Sequence, residues 1–106
     1  QGHPPVETVL SLMAEPDRWQ ETPFISVPFL PLREKLGMGR KETHIPYGRL
    51  RERMGELPMG RPLIVYCATG VRSSLAASML EGAGREVRNL RGGFTAWRAA
   101  GLPIER

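Results

Sequence analysis

Leu63-Ile64-Val65-Tyr66-Cys67-Ala68-Thr69-Gly70-Val71-Arg72-Ser73-Ser74 is the stretch on which the fold turns. Four consecutive apolar residues, two of them β-branched, predict a strand buried on both faces. Residues 68–70 interrupt the run. Beyond them Leu75, Ala76, Met79, Leu80 and Ala83 recur at helical spacing, and Gly82 and Gly84 end the pattern. Strand, short Gly-bearing loop and helix is how a parallel sheet presents a nucleophile at its edge. The chain's single cysteine, Cys67, closes the strand. The first amides of the next helix lack intrahelical partners and carry the positive end of its dipole. Both effects favour thiolate over thiol, and Arg72 adds positive charge at the same place. Cys67 is therefore read as a reactive thiol.

Working outward, residues 86–90 predict another short strand. Gly92-Gly93 turns the chain into a last helix over residues 94–100, finished by Gly101 and Pro103. Upstream, Leu50, Met54 and Leu57 mark a helix that Pro58 closes, and Thr43-His44-Ile45-Pro46-Tyr47 reads as extended. Phe24-Ile25-Ser26-Val27, set between Pro23 and Pro28, predicts a strand. Val6, Val9, Leu10 and Met13 form a helical stripe that Pro16 should end. Between them, the Pro- and Gly-bearing residues 28–43 allow one helical turn over residues 32–36. Short strands alternating with helices predict an α/β domain, a mostly parallel sheet of about five strands with helices on both faces.

The chain has 106 residues, 41% of them hydrophobic and 25% charged, the profile of one ordinary globular domain. No apolar run approaches the roughly 20 residues of a membrane span, so no membrane partner is expected. One cysteine excludes an internal disulfide, and with only His3 and His44 beside it neither a structural zinc site nor any other metal is expected. The formal charge is +4, but the arginines are scattered and the aromatics are not interleaved with them. That pattern argues against nucleic acid and for a mild pull on small anions. Gln1-Gly2-His3 reads as a purification-tag remnant, which leaves residues 4–106 as the domain, with a natural chain expected to extend upstream.

Three ordered motifs give the chain a resemblance to the rhodanese-like sulfurtransferases. I-V-Y-C-A-T-G-V-R-S-S, from Ile64, is similar to the family's active-site strand, loop and helix start. V-R-N-L-R-G-G-F-T-A-W-R-A-A-G-L-P, from Val87, is similar to its closing segment, and I-P-Y-G-R-L, from Ile45, to a strand end that precedes them. The resemblance implies a three-layer rhodanese-like fold and a sulfurtransferase without a cofactor. Cys67 would take the outer sulfur of an anionic donor such as thiosulfate as a persulfide, then pass it to cyanide or a thiol. The backbone from Ala68 through Thr69, Gly70, Val71 and Arg72 to Ser73 would surround the donor. Arg72 would clamp its anionic end, and the Thr69 and Ser73 hydroxyls would add donors. Two family motifs are missing from the first half. Ile25-Ser26-Val27-Pro28 stands where an Asp-Val-Arg is usual, and Gly37-Met38-Gly39-Arg40-Lys41-Glu42 stands roughly where a Gly-His-Ile-Pro-Gly-Ala is usual.

Other assignments compete. A phosphatase or arsenate reductase also uses a Cys-loop-Arg cradle, but phosphate needs C-x5-R, and here Arg72 makes C-x4-R. A regulatory or sulfur-relay module would hand its sulfur to a partner domain or a sulfur-accepting protein. His44 is read as structural, Trp97 as packing, Gly92 and Gly93 as turn residues, and Ser73 and Ser74 as alternative helix caps. The expected compartment is the cytoplasm, with the periplasm left open by the upstream extension.

Overall fold

Parity along the central strand divides the interior in two. The computed structural model describes residues 6–15, 22–30, 32, 35–36 and 42–105. β5 (Leu63–Tyr66) is buried along its whole length. Leu63, Val65 and the following Cys67 belong to one apolar cluster, and Ile64 and Tyr66 to another, as the two-residue repeat of a pleated strand requires.

Five strands form one sheet: β1 (Val6–Glu7), β2 (Phe24–Ser26), β4 (Glu42–His44), β5 and β6 (Val87–Leu90), in the order β1-β6-β5-β2-β4. Every pairing is parallel. The first cluster joins Ile25, Val27, Ile45, Val65 and Val87 to Leu50, Ala76, Ala77 and Leu80. Its helices are α2 (Leu50–Arg53), entered through a 3-10 turn at Tyr47–Arg49, and α3 (Val71–Gly82). The second cluster joins Phe24, Ile64, Tyr66 and Leu90 to Val9 and Leu12 of α1 (Val9–Ala14), and to Phe94 and Trp97 of α4 (Gly93–Ala99). Each large side chain so enclosed contributes about 1.5–3 kcal/mol. The Trp97 indole N–H also donates to the Pro103 carbonyl at 2.6 Å, so its polar atom is satisfied. This is the expected three-layer α/β architecture.

Several local expectations need correction. Val6 lies in β1, ahead of the helix, and α1 buries Val9 and Leu12 while Leu10 and Met13 are exposed. The reason is local: Thr8 caps α1 reciprocally with Ser11, so the helix starts at Val9 and its inner face falls on Leu12. Pro16 lies outside the described residues; α1 ends at Ala14. In place of a helical turn, Lys35–Leu36 forms a strand (β3) antiparallel to β7 (Ile104–Glu105), with Leu36 buried. Tyr47 is in the 3-10 turn instead of extended chain. The helix over Leu50, Met54 and Leu57 is an α-turn that tightens to 3-10 at Met54–Glu56. On α3 Leu75 is exposed, as is Ala83 just past its end, and the inner face is Ser73, Ala76, Ala77 and Leu80. Residues 1–5 and 37–41, with the tag remnant and most of the segment replacing Gly-His-Ile-Pro-Gly-Ala, lie outside the described residues. No helix among the described residues is long and apolar enough to cross a membrane.

Candidate active site

Cys67 leaves β5 at the carboxyl edge of the sheet, in the cluster beneath α3, and is 4% exposed. The chain then turns at Gly70, whose φ of +100° is open to glycine at little cost. A side chain there would also crowd the Gly92 amide nitrogen at 3.1 Å. The turn folds the Gly70 N–H back onto Cys67, where it donates to Sγ at 3.0 Å, and the Ser73 hydroxyl lies 3.5 Å from the same sulfur. Burial pushes the thiol up. The Ser73 hydroxyl and the backbone amides of Ser73, Gly70 and Thr69 outweigh it, so the thiol sits below its ordinary value.

The back of this cradle is held by a second helix start. The Phe94 amide donates to the Cys67 carbonyl and the Thr95 amide to the Ala68 carbonyl, both at 2.9 Å. Their approach requires Gly93, because a Cβ there would lie 2.1 Å from the Cys67 oxygen and 2.9 Å from the Ala68 oxygen. A Cβ on Gly92 would lie 2.6 Å from that of Ala96. The Gly-Gly pair does more than turn the chain: it lets α4 close on the loop.

The expected loop residues fall into two sets. Ser73 is fully buried and Gly70 half-buried, whereas Ala68, Thr69, Val71 and Arg72 are exposed. Arg72 makes no ion pair or hydrogen bond among the described residues and is not among the groups that lower the Cys67 thiol. Neither serine caps α3; its N-cap is Gly70, without a side-chain bond. A cleft of about 510 Å3 adjoins the loop, lined by Thr69, Gly70, Val71, Leu75, Asn89 and Arg91 among others; Cys67 and Arg72 are not part of its wall. His44 sits on the edge strand with Nδ1 3.3 Å from Ser26 Oγ, in register with Ser26, which is in turn in register with Tyr66. Ser26 thus ends β2, in the stretch already read as lacking an acid. The carboxylate nearby is that of Glu42, which accepts from the Tyr66 hydroxyl at 2.6 Å and from the Leu36 amide at 3.1 Å.

Asn89 is the site residue that sequence reasoning missed. It is 7% exposed on β6, faces α3, accepts from Ser73 Oγ at 2.5 Å and donates to the Gly70 carbonyl at 3.3 Å. The signal was present: in V-R-N-L, Asn89 shares the inward parity of Val87, and an inward amide must find partners.

A family model for the rhodanese-like domain matches residues 31–100. The chain belongs to that family. Its rhodanese-like sequence is 43% identical over 70 residues to a sulfurtransferase of Allochromatium vinosum, a match covering 64% of each chain. It is 33% identical over 72 residues to the thiosulfate sulfurtransferase GlpE of Vibrio cholerae, covering 67% of this chain and 68% of that one. The rhodanese-like fold superposes on a rhodanese-related protein from Thermoplasma volcanium with a TM-score of 0.79. That match covers 94% of this chain and 96% of the other at 22% identity, a likeness of fold alone. The chain thus spans just under two thirds of the Allochromatium relative.

Proposed function

We propose that this rhodanese-like domain is a sulfurtransferase that carries sulfane sulfur on Cys67. The observation that carries the reading is a lone thiol at the sheet edge, buried yet held below its ordinary pKa by the amide N–H groups at Sγ and by a Ser73 hydroxyl within reach of it. Such donors stabilise negative sulfur without a general base. Membership of the family and likeness to named sulfurtransferases support it.

In the first half-reaction the Cys67 thiolate attacks the outer sulfur of an anionic donor such as thiosulfate. An S–S bond forms, the bond to the sulfonyl sulfur breaks, and the electron pair leaves with sulfite. In the second, cyanide or a thiolate attacks the outer persulfide sulfur and Cys67 departs as the thiolate. The loop from Ala68 through Thr69, Gly70, Val71 and Arg72 to Ser73 borders the donor. Exposed Arg72 is free to swing onto its anionic end, where two or more N–H donors can grip a sulfonate. The acceptor is a small thiophile or a protein thiol. The C-x4-R spacing leaves one residue fewer than a phosphate cradle requires.

Intact mass before and after thiosulfate tests the reading directly. The expected result is a gain of one sulfur atom, lost again on cyanide treatment and absent from a folded Cys67→Ser variant. No gain on the native chain, or an equal gain on the variant, overturns it.

A further inference from the structure

The Ser73 hydroxyl has one proton and two acceptors in reach. Asn89 Oδ1 lies 2.5 Å away and Cys67 Sγ 3.5 Å away. The amide cannot reverse its role by flipping, because its Nδ2 is spent on the Gly70 carbonyl at 3.3 Å and an oxygen placed there would face another oxygen. Two oxygens 2.5 Å apart need a proton between them, and Asn89 Oδ1 has none to give. In the state described here Ser73 therefore donates to Asn89 and turns a lone pair toward the sulfur, a partner suited to S–H. An anionic sulfur needs the hydroxyl turned round, which leaves the buried Asn89 oxygen without its donor.

We infer that Asn89 is a positioning residue that competes with Cys67 for the Ser73 proton, holding the hydroxyl on itself while the sulfur is neutral and releasing it when the sulfur becomes anionic. The Ser73 hydroxyl would then alternate through any cycle in which Cys67 passes between thiolate and a neutral sulfur. Asn89 acts as a counterweight to the donors that favour the anion. Its position suits this: β6 lies beside β5 with Asn89 in register with Val65, two residues before the cysteine.

Charged groups on the neighbouring elements do not supply this effect. On α3, Arg72 is exposed, and on β6 Arg88 pairs with Glu7 at 3.6 Å. Arg91, beyond β6, is exposed. Tyr66 lies in the other core layer with its hydroxyl on Glu42, Tyr47 packs on the Cys67 cluster from the 3-10 turn, and His44 is on β4 beside Ser26. The groups acting on the thiol besides burial are the amides of Thr69, Gly70 and Ser73 and the Ser73 hydroxyl, none of them charged.

The inference goes beyond sulfur transfer, and its test needs no sulfur donor. The native chain has one cysteine, so the iodoacetamide rate against pH reports Cys67 alone. Asn89→Leu should lower the midpoint by about one pH unit, a tenfold gain in the thiolate-to-thiol ratio. In a Ser73→Ala background the same substitution should move it by less than a third of that. A merely structural Asn89 would shift both backgrounds alike, and that result overturns the inference, as does a midpoint that rises or stays fixed in Asn89→Leu. Should Asn89→Leu fail to fold, Asn89→Asp keeps the test. A stronger acceptor must raise the midpoint further with Ser73 present than with Ser73→Ala, and equal shifts overturn the inference. Persulfide formation is scored separately by mass, so either idea can fail without the other.

Discussion

Replacing Gly93 with alanine should damage the cradle from behind, and the structure fixes how much. At φ +55° an alanine pays roughly 1–2 kcal/mol for left-handed backbone. Its Cβ would also lie 2.1 Å from the Cys67 carbonyl oxygen, a contact that real Cβ atoms essentially never make below 3.0 Å. The loop must retreat by about 1 Å, which strips the Phe94 amide from that carbonyl and leaves a buried pair unsatisfied at a further 1–3 kcal/mol or so. Together these come to about 2–5 kcal/mol. A displacement of about 1 Å at the reacting atom lowers kcat/KM on the order of a hundredfold. Gly101→Ala is the control, because Gly101 has φ +74° with nothing within 4 Å of an added Cβ. It should lose only the backbone term and keep its activity. Urea unfolding and thiosulfate:cyanide transfer, measured on both variants, separate strain from clash. If Gly93→Ala matches Gly101→Ala to within about 0.5 kcal/mol, the scatter of an ordinary surface substitution, the close approach of α4 to the loop is not what holds the cradle.

The other predictions concern charge and protonation. Arg72→Ala should lower kcat/KM for thiosulfate about ten- to a hundredfold, the value of a charge-assisted bond, with Arg72→Lys recovering part; a change within about twofold would assign Arg72 to the surface. Iodoacetamide labelling of Cys67 should rise through a midpoint below the reference of about 8.5 and then level off, and a midpoint at or above that value contradicts the geometry at Sγ. Because the folded thiol is depressed, its ionisation stabilises the fold above the unfolded thiol's pKa, and that contribution is lost as pH falls through the folded midpoint. Tyr66 has the opposite sign. Burial first, then its bond to the Glu42 carboxylate, pushes its phenol up. Stability from this source is complete below the unfolded value of about 10 and is lost as pH rises above it, so Tyr66→Phe should flatten alkaline unfolding followed by circular dichroism.

What was legible in the sequence was local. Leu63–Tyr66, the glycine turn, α3, β6 and the Gly-Gly start of α4 carry strong periodicity or unambiguous punctuation, and each lies within a few residues of where it was expected. The first half resisted for physical reasons. β1 and β3 have two residues each, too few to show a period, and α1 is a six-residue helix whose inner face is set by the Thr8 cap. In the site, Cys67 and its loop were legible because strand, turn and helix are contiguous. Asn89's inward parity could be read, but its partner Ser73 and the closing role of Gly93 could not, because those contacts lie across the sheet edge and a hydrogen bond between residues 73 and 89 leaves no local mark.

Among the described residues, Val6 and Glu7 are all that make β6 an interior strand. Their partners lie most of the chain away, so this contact closes the longest loop in the sheet and returns the shortest ladder. Local opening of the native state is therefore expected at that margin. The Arg91 amide, which donates to the Glu7 carbonyl, should exchange with deuterium ahead of the Phe94 and Thr95 amides behind the cysteine. Because Val6 is in register with Asn89, that margin is also the one through which fraying would reach the residue that holds Ser73.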